Sequence, residues 1–472
     1  MKIKFDVNQS KLTKYNVFTL LTLIFWYLAF FPGILNNDNS QLIRLIRKGE
    51  LTDYWTSTFC YFVKFTTFNG KFLGLSSLIC LLIFAFSISW LISSLKLSKP
   101  ISDKTILLIY LTPLFGAFGV NISHDVLKAS GILLLIGIQF RKLNFIVISN
   151  RLFFAIEILA SFLLLTANDG IVIIFCNLVI LFFQKFYKLV TVITILCAFI
   201  IVATSNGMTI KTPKSTILVS GIIDIKCIAQ HPEAEISSSS WRYLETIAPK
   251  DEWLNPVTCS DWAPSLEALK SLHFSAVTDL ENSTFKISPE FFKVYFSVIG
   301  RNPAIAAMSH IQRSVVALPP PFFQVPQNQV ILNSTIPVGE GTNTALQTGP
   351  GVLHPSIDEP SVYFSIGVLK PLNILAQGLT FLFNQASWFW GWGGFWLWPI
   401  IIFTIKRFRI VSIPKILYLY FPTAVLHIVL IIIGTGSHPR YVMSTTILGV
   451  IVTSIMLFEY LEKIHGDNLE KL

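Results

Sequence analysis

The sequence predicts a polytopic α-helical membrane protein with about 10–12 transmembrane helices and one mostly helical domain outside the membrane. Of its 472 residues, 53% are hydrophobic and only 13% are charged, whereas about a quarter of the residues of a soluble protein are charged. Stretches such as 18–31 and 189–203 are apolar on every side. Helices of that kind must be surrounded by lipid or by other helices.

Individual spans are marked by runs of roughly 16–22 apolar residues. The first run is expected to remain in the protein as a span, because it lacks a small-residue cleavage site and is followed by Pro32 and Gly33. The runs lie near 14–31, 72–95, 105–121, 125–140, 151–167, 170–184, 189–206, 415–434 and 440–461, and a tryptophan-rich run covers 388–405. They give about ten spans, with eleven or twelve as the alternatives.

The basic residues orient these spans. They cluster in alternate loops, which the positive-inside rule assigns to the cytoplasm, so the net charge of +10 is a topology signal and not a nucleic-acid interface. The clusters lie within 2–14, 96–104, 141–151, 185–188 and 406–415. We therefore expect a protein of the plasma (inner) membrane with its large loops on the periplasmic or extracellular side.

Three regions follow from this topology. Residues 1–206 form an N-terminal transmembrane module whose first outward loop covers 32–70, residues 207–361 form an extracytoplasmic domain inserted before the last three spans, and residues 362–472 form a C-terminal membrane module. The domain contains helix-like pieces at 236–247, 265–273 and 289–317, and then a stretch at 319–360 rich in Pro, Gly, Asn and Thr, which predicts an ordered loop packed on the membrane face.

Segment 362–383 is apolar enough to span, but a span there would move the basic residues of 406–409 to the outside. It also contains Lys370, Asn373 and Gln377. We predict an interfacial or half-inserted helix, with a full span as the alternative.

The cysteines divide between the membrane and its outer face. Cys80, Cys176 and Cys197 fall in predicted spans, whereas Cys60, Cys227 and Cys259 face outward. An oxidising compartment permits a disulfide there, and the favoured pair is Cys227 with Cys259 because both lie in the large domain. Reduced thiols within helical packing are the alternative.

Polar groups at the outward mouths of the spans are the candidates for chemistry, because such groups are costly beside lipid. Asp38 follows the first span and the helix-breaking pair Pro32–Gly33. Its carboxylate suits a general base that activates an acceptor hydroxyl. An N-cap for a helix over 40–47 explains an Asp at this place equally well.

A second group opens the fourth span. His124 and Asp125 lie at its start, and Lys128 lies one turn further on. They suit binding of a phosphate or a divalent metal, although two ligands are too few to define a metal site. The alternative is a structural carboxylate that the helix dipole favours. Asp169 lies in the next outward loop, between the fifth and sixth spans.

A third group precedes the last span and contains His438, Arg440 and Tyr441. The guanidinium of Arg440 donates in a fixed fork that suits a phosphate, and interfacial anchoring is the alternative. The tryptophans of the run 388–398 are predicted to form an aromatic belt in preference to a sugar-stacking surface.

Together these residues resemble the GT-C superfamily, membrane glycosyltransferases that take sugars from polyprenyl phosphates. The resemblance rests on an Asp soon after span one, an acidic site at the mouth of the fourth span, a late Arg-Tyr pair and a large outward domain. Segments that begin at Ile228, Pro249 and Phe291, with the pair Asn302–Pro303, look like segments of uncharacterised bacterial proteins of this kind.

The resemblance implies a role for each residue. Asp38, His124 and Asp125 are expected to be catalytic, with Asp38 as the base, and the residues expected to bind substrate are Lys128, Asp169, His438, Arg440 and Tyr441. His124 stands where many relatives carry a second acidic residue, so any divalent metal would be held by Asp38 and Asp125. The implied partners are a polyprenyl-phosphate sugar donor, membrane lipid and a glycan, lipid or protein acceptor, with no nucleic acid.

Two other function classes fit parts of the sequence. A ligase or polymerase of lipid-linked glycans would use basic residues of the large domain, for which the candidates are His231, Arg242, Arg301, His310 and Arg313. A lipid or solute transporter would need a site near the bilayer midplane. Glu157 is the best candidate for such a site.

Overall fold

The protein is helical throughout the part that the structure, a computed structural model, describes. That part comprises residues 14–35, 37–52, 55–209, 219–247, 249–254, 289–313, 317, 336–337, 370–385, 393–433 and 442–469. The exceptions are two short strands, β1 (Ile34–Leu35) and β2 (Ile336–Pro337), which pair antiparallel. The predicted helical class is confirmed at this level.

The N-terminal module contains α1 (Lys14–Ala29), α2 (Asn37–Lys48), α3 (Ser57–Thr66), α4 (Leu73–Ser93), α5 (Lys99–Leu111), α6 (Pro113–Gly119), α7 (His124–Leu143), α8 (Asn150–Leu164), α9 (Gly170–Phe183) and α10 (Tyr187–Ser205). The next region contains α11 (Val219–Ala229), α12 (Ser238–Leu244), α13 (Lys250–Leu254), α14 (Pro289–Arg301) and α15 (Pro303–Arg313). The C-terminal region contains α16 (Lys370–Gln385), α17 (Gly393–Phe408), α18 (Ile413–Leu419), α19 (Phe421–Ile433) and α20 (Met443–Leu469).

Several of these helices are suited to a bilayer. Among the described residues, α4, α10 and the Met443–Ile464 part of α20 are each long and apolar enough to cross a membrane, and the count rises from 3 to 5 if two bent helix pairs each form one span. In α4 and α20, 61% of the most apolar window is buried inside the protein, against 11% in α10. Helix α10 therefore lies at the rim of the bundle, where its side chains are left to lipid.

The run predicted as one span over 105–121 is broken. Helices α5 and α6 meet at 61°, because Pro113 has no N–H to donate to the preceding turn. The indole Nε1 of Trp26 donates to the carbonyl of Tyr110, in the last turn before the break, at 2.8 Å. A Cβ at Gly116 would lie only 1.9 Å from the same indole, so this glycine lets α1 pack against the break.

The run predicted over 415–434 is broken as well, since α18 and α19 meet at 95°. Pro422 lies at the start of α19 and cannot donate to the preceding turn. His427 of α19 is buried, and its two ring nitrogens lie 2.6 Å from the carbonyl oxygen of Ala317 and 2.8 Å from the hydroxyl of Thr445. This histidine ties the end of the large region to the bundle.

The segment predicted as an interfacial helix over 362–383 contains α16, which begins at Lys370. Its first turn is attached to the end of α1, where the amide of Asn373 donates to the carbonyl of Ala29 at 2.7 Å. Helix α16 therefore lies beside the start of the first outward loop. Its placement as an interfacial or half-inserted helix stays a prediction.

The described helices of the large region build a second core that is separate from the membrane bundle. Its centre contains Trp253, Phe291 and Val298. The indole of Trp253 donates to the carbonyl of Leu244 at 3.1 Å. The side-chain amide of Asn302 donates to the backbone carbonyl of Glu235 at 2.9 Å. The amide oxygen of Asn302 accepts from the backbone N–H of Glu235 at 2.7 Å.

One predicted helix of this region was wrong, and several of the quoted motifs have a structural role in its core. The single helix predicted over 289–317 is two helices, because Pro303 begins a new one after Asn302. Residues quoted for the resemblance, such as Trp253, Phe291 and Asn302, are structural anchors of this core. The predicted helical piece at 265–273 lies outside the described residues, as does most of the stretch 319–360.

The favoured disulfide is supported. Cys227 is disulfide-bonded, and Cys60, Cys80, Cys176 and Cys197 are free thiols. The one cysteine that remains is Cys259, which itself lies outside the described residues.

We expect thiol labelling to count this bond. Protein unfolded in SDS without reductant is expected to take up a maleimide-linked polymer at four of its six cysteines, and at all six after reduction. Cys227→Ser is expected to add one reactive thiol without reduction, because its partner is released. Six labelled cysteines in the unreduced wild-type protein would contradict the bond.

Candidate functional site

The loop over 32–70, which was predicted to face outward, is attached to the loop that opens α7. Ile34 donates to the carbonyl of Val120 at 3.3 Å and accepts from the N–H of Ile122 at 3.2 Å. Gly33 has a φ of +137°, and a Cβ there would lie 2.8 Å from Cβ of Ser77 in α4. Only glycine combines this backbone conformation with such a close approach. The two loops predicted to bear chemistry are therefore held together.

Helix α2 begins at this junction. The buried Asn39 donates from its amide to Oδ1 of Asn121 across a long contact of 3.5 Å. Asp38 precedes it in the first turn of α2, which begins at Asn37 and not at residue 40. The N-cap interpretation of Asp38 was therefore wrong in register. The backbone of Asp38 lies beside the loop that leads into α7, while its side chain lies outside the described part.

Helix α7 begins at His124, where the fourth span was predicted to start. The hydroxyl of Ser123 caps the helix by accepting from the backbone N–H of Asp125 at 3.1 Å. The residue Asp125 is 1% exposed and Lys128 is 3% exposed. Their charged groups lie 3.4 Å apart across one helical turn. Charges this deeply buried are stable only when they have partners of opposite charge.

Lys128 also reaches the loop between α8 and α9. Its ammonium donates to Oδ2 of Asp169 at 2.7 Å, and the side chain of Asp169 is 20% exposed. Asp169 occupies the N-cap position of α9, so the contact joins the starts of α7 and α9. Lys128 therefore links two carboxylates, and its predicted role in binding substrate stays a prediction.

His124 forms the accessible edge of this group, with a side chain that is 19% exposed. Its Nε2 lies 3.6 Å from Oδ1 of Asp125, and its ring packs edge-on against Phe59 with centroids 5.3 Å apart. Its Nδ1 is buried and has no hydrogen-bond partner among the described residues.

The electrostatic field at this junction is set by the starts of three helices and by the charged side chains. Helices α2, α7 and α9 all begin here, and each helix start carries about half a positive charge. Asp125 and Asp169 provide two negative charges against the one of Lys128. Such a site can receive a phosphate near the helix starts.

The described residues offer no ready metal centre. Within those ranges no three His, Cys, Asp or Glu side chains come together as a metal site would require. The cation between Asp125 and Asp169 is the ammonium of Lys128. The predicted metal pair of Asp38 and Asp125 stays a prediction, because the Asp38 side chain lies outside the described part.

The third predicted group, His438, Arg440 and Tyr441, lies outside the described residues. So do the first three tryptophans of the predicted belt, at positions 388, 390 and 392. Of the other two, Trp398 is 44% exposed, as a belt residue would be, but Trp396 is 3% exposed. A Cβ at Gly449 would lie 2.6 Å from Trp396, so this tryptophan belongs to the packing of α17 against α20.

Residues of the two rival function classes are placed as follows. Glu157 is buried in α8 and accepts from the amide of Asn177 at 2.7 Å. His310 faces the buried Asp224 with 3.4 Å between Nδ1 and Oδ1, and Tyr295 donates to the same carboxylate at 3.2 Å. Each carboxylate thus has partners within its own part of the protein.

Two polar residues of the site were missed by sequence reasoning. Asn39 and Asn121 both lie in short polar stretches next to predicted spans, and that signal could have marked them. Their pairing across 82 residues could not be read from any local pattern.

The comparisons with known proteins give no relative. No protein-family model, no curated protein and no solved structure matches the chain. The arguments about function therefore rest on the site itself. Within its described residues, the structure establishes a helical protein with 3 to 5 candidate membrane spans.

Proposed function

We propose that the protein is a glycosyltransferase of the GT-C type, which moves a sugar from a polyprenyl-phosphate donor to a glycan, lipid or protein acceptor. The observation that supports this best is the junction of the first, second and third outward loops. It brings the buried Asp125–Lys128 pair and the partly exposed Asp169 close to the helix turn that carries Asp38. Polar groups this costly to bury beside lipid are retained where function needs them.

The proposal includes a topology. The basic loops lie on the cytoplasmic side, the bundle has about 10–12 spans, and the junction lies on the non-cytoplasmic face of the plasma membrane. The disulfide of Cys227 fits an oxidising compartment for the large region. The membrane then delivers the lipid-linked donor to a site on its far face.

In the proposed reaction, the carboxylate of Asp38 takes the proton of an acceptor hydroxyl. The acceptor oxygen forms a bond to the anomeric carbon as the bond from that carbon to the phosphate oxygen breaks. Polyprenyl phosphate leaves with the electron pair of the broken bond, and the configuration inverts. The leaving group is a stable anion, so it needs no proton from the protein.

The other residues of the junction act on charge and position. Lys128 is already compensated by two carboxylates, so we assign it to holding Asp125 and Asp169 in place. The accessible His124, Arg440 and the helix starts are the groups that stabilise the departing phosphate. Fixed dipoles and charges of this kind contribute several kcal/mol in other enzymes. His438 and Tyr441 complete the proposed binding site.

A donor panel tests the proposal. Purified protein in proteoliposomes would receive polyprenyl phosphates carrying different radiolabelled sugars, with an extract of host membranes as the acceptor source. We expect one donor to be consumed, with equal amounts of polyprenyl phosphate released and label transferred. Release of polyprenyl diphosphate from a lipid-linked oligosaccharide would support the ligase class. Movement of intact donor between leaflets without its consumption would support the transporter class.

A further inference from the structure

A cleft lies at the other end of the bundle, between α17 and α20. It has a volume of about 410 Å³ and is lined by Phe403, Lys406, Arg407, Arg409, Met456 and Glu459. Three of its six lining residues are basic and one is acidic. No part of the proposed transfer site uses these residues.

The position of the cleft follows from the length of α7. This helix runs for 20 residues from His124, which corresponds to about 30 Å. Its far end carries Arg141, which donates to the hydroxyl of Ser94 at 3.0 Å. Arg407 of the cleft donates to the carbonyl of Leu95, the next residue, at 3.2 Å. The cleft therefore lies about one bilayer thickness from Asp125, at the end that the basic loops assign to the cytoplasm.

The basic side chains of the cleft differ in whether an acidic side chain lies beside them. Arg407 is occupied, since its Nη1 lies 2.6 Å from Oε1 of Glu459. Lys406 and Arg409 are exposed, and neither has an ion-pair partner among the described residues. Together they supply two positive charges, whereas the carboxyl end of α17 supplies only about half a negative charge. The cleft keeps a clear positive excess.

The floor of the cleft differs from its rim. Phe403 is only 1% exposed and Met456 is partly buried, so Met456 is the apolar side chain of the lining that a ligand can reach. Arg409 has a φ of +55°, and its N–H caps α17 by donating to the carbonyl of Ile405 at 3.0 Å. This turn fixes the backbone from which its side chain projects. A free phosphate would contact only the basic side chains. A lipid would contact these and the apolar part of the lining as well.

We propose that this cleft binds the phosphate group of an anionic lipid of the cytoplasmic leaflet. Lys406 and Arg409 hold the phosphate, Arg407 is kept in position by Glu459, and Met456 contacts the apolar part of the lipid. Basic pockets between transmembrane helices on the cytoplasmic side are suited to such head groups. The site is independent of the proposed transfer reaction.

Native mass spectrometry of the full-length protein with phosphatidylglycerol tests this proposal. We expect Lys406→Gln/Arg409→Gln to weaken lipid binding about 30-fold, since each basic residue near the surface contributes about 1 kcal/mol and 1.4 kcal/mol is tenfold. The matched control is Lys185→Gln/Lys188→Gln, which removes two exposed charges from the same end of the bundle but outside the cleft. The control is expected to bind the lipid within about twofold of wild type.

Competition separates lipid from free phosphate. Inorganic phosphate and glycerol 3-phosphate are expected to displace phosphatidylglycerol only weakly, because they lack the apolar part. Displacement by either one at the lipid's own concentration would overturn the lipid assignment. Equal binding by wild type and the Lys406→Gln/Arg409→Gln variant would overturn the site. The melting temperature of both double variants is expected to equal that of the wild type, since the exchanged side chains are exposed.

Discussion

Replacing Lys128 with methionine is expected to destabilise the protein by about 3–5 kcal/mol, the usual cost of leaving a buried charge uncompensated. Methionine keeps the volume of the lysine stem but removes the ammonium that lies 3.4 Å from Asp125 and 2.7 Å from Asp169. The carboxylate of Asp125 is then buried without its strongest partner. The measurement is unfolding of the detergent-solubilised protein in increasing SDS.

A double variant separates charge from packing. Asp125→Asn/Lys128→Met removes both buried charges and is expected to recover most of the stability lost in Lys128→Met. The matched control is Lys415→Met, which changes an exposed lysine of α18 and is expected to stay within about 0.5 kcal/mol of wild type. A double variant no more stable than Lys128→Met would show that packing, and not the uncompensated charge, causes the loss.

Replacing Asp38 with asparagine is expected to lower the rate of sugar transfer by about 10²–10⁴-fold, the usual contribution of a positioned general base. Asparagine keeps the shape and fits the first turn of α2, but it cannot accept the acceptor's proton. The measurement is release of polyprenyl phosphate from the donor that the panel identifies. Binding of that donor is expected to change far less, because the base acts on the acceptor.

The control for this variant is Asp103→Asn, the same chemical change in α5. Asp103 lies next to Lys104, which pairs with Glu462 of α20 at 3.6 Å, far from the junction. Its transfer rate is expected to stay within about twofold of wild type. Equal rates for Asp38→Asn and the wild type would remove Asp38 from the role of base, even if the protein proved to be a glycosyltransferase.

Much of the helical pattern could be predicted because it is local. Ser123 caps α7 and Ser149 caps α8 through hydrogen bonds within a few residues. The breaks at Pro113 and Pro422 were missed, because hydropathy continues through them and the bend depends on packing. At Pro113 the bend is stabilised by Trp26, which lies 84 residues from the carbonyl that it contacts.

The contacts of the candidate site also include local ones, which could be predicted, and long-range ones, which could not. Asp125 and Lys128 are one helical turn apart, so their contact could be predicted from spacing. The contacts of Lys128 with Asp169 and of Asn39 with Asn121 join residues 41 and 82 positions apart. These depend on the order of the helices in the bundle, which one sequence does not reveal. The structure adds the contacts of Lys128 with two carboxylates, and its predicted role as a phosphate ligand stays a prediction.

The most direct test of the proposed function is a cryo-EM structure of the protein in nanodiscs with its polyprenyl-phosphate sugar bound. We predict that the phosphate lies at the junction of the loops, beside the first turn of α2 and the ring of His124. The anomeric carbon would then face the carboxylate of Asp38. A donor bound near Glu157 in the interior of the bundle, or on the large region beside His310, would contradict the account.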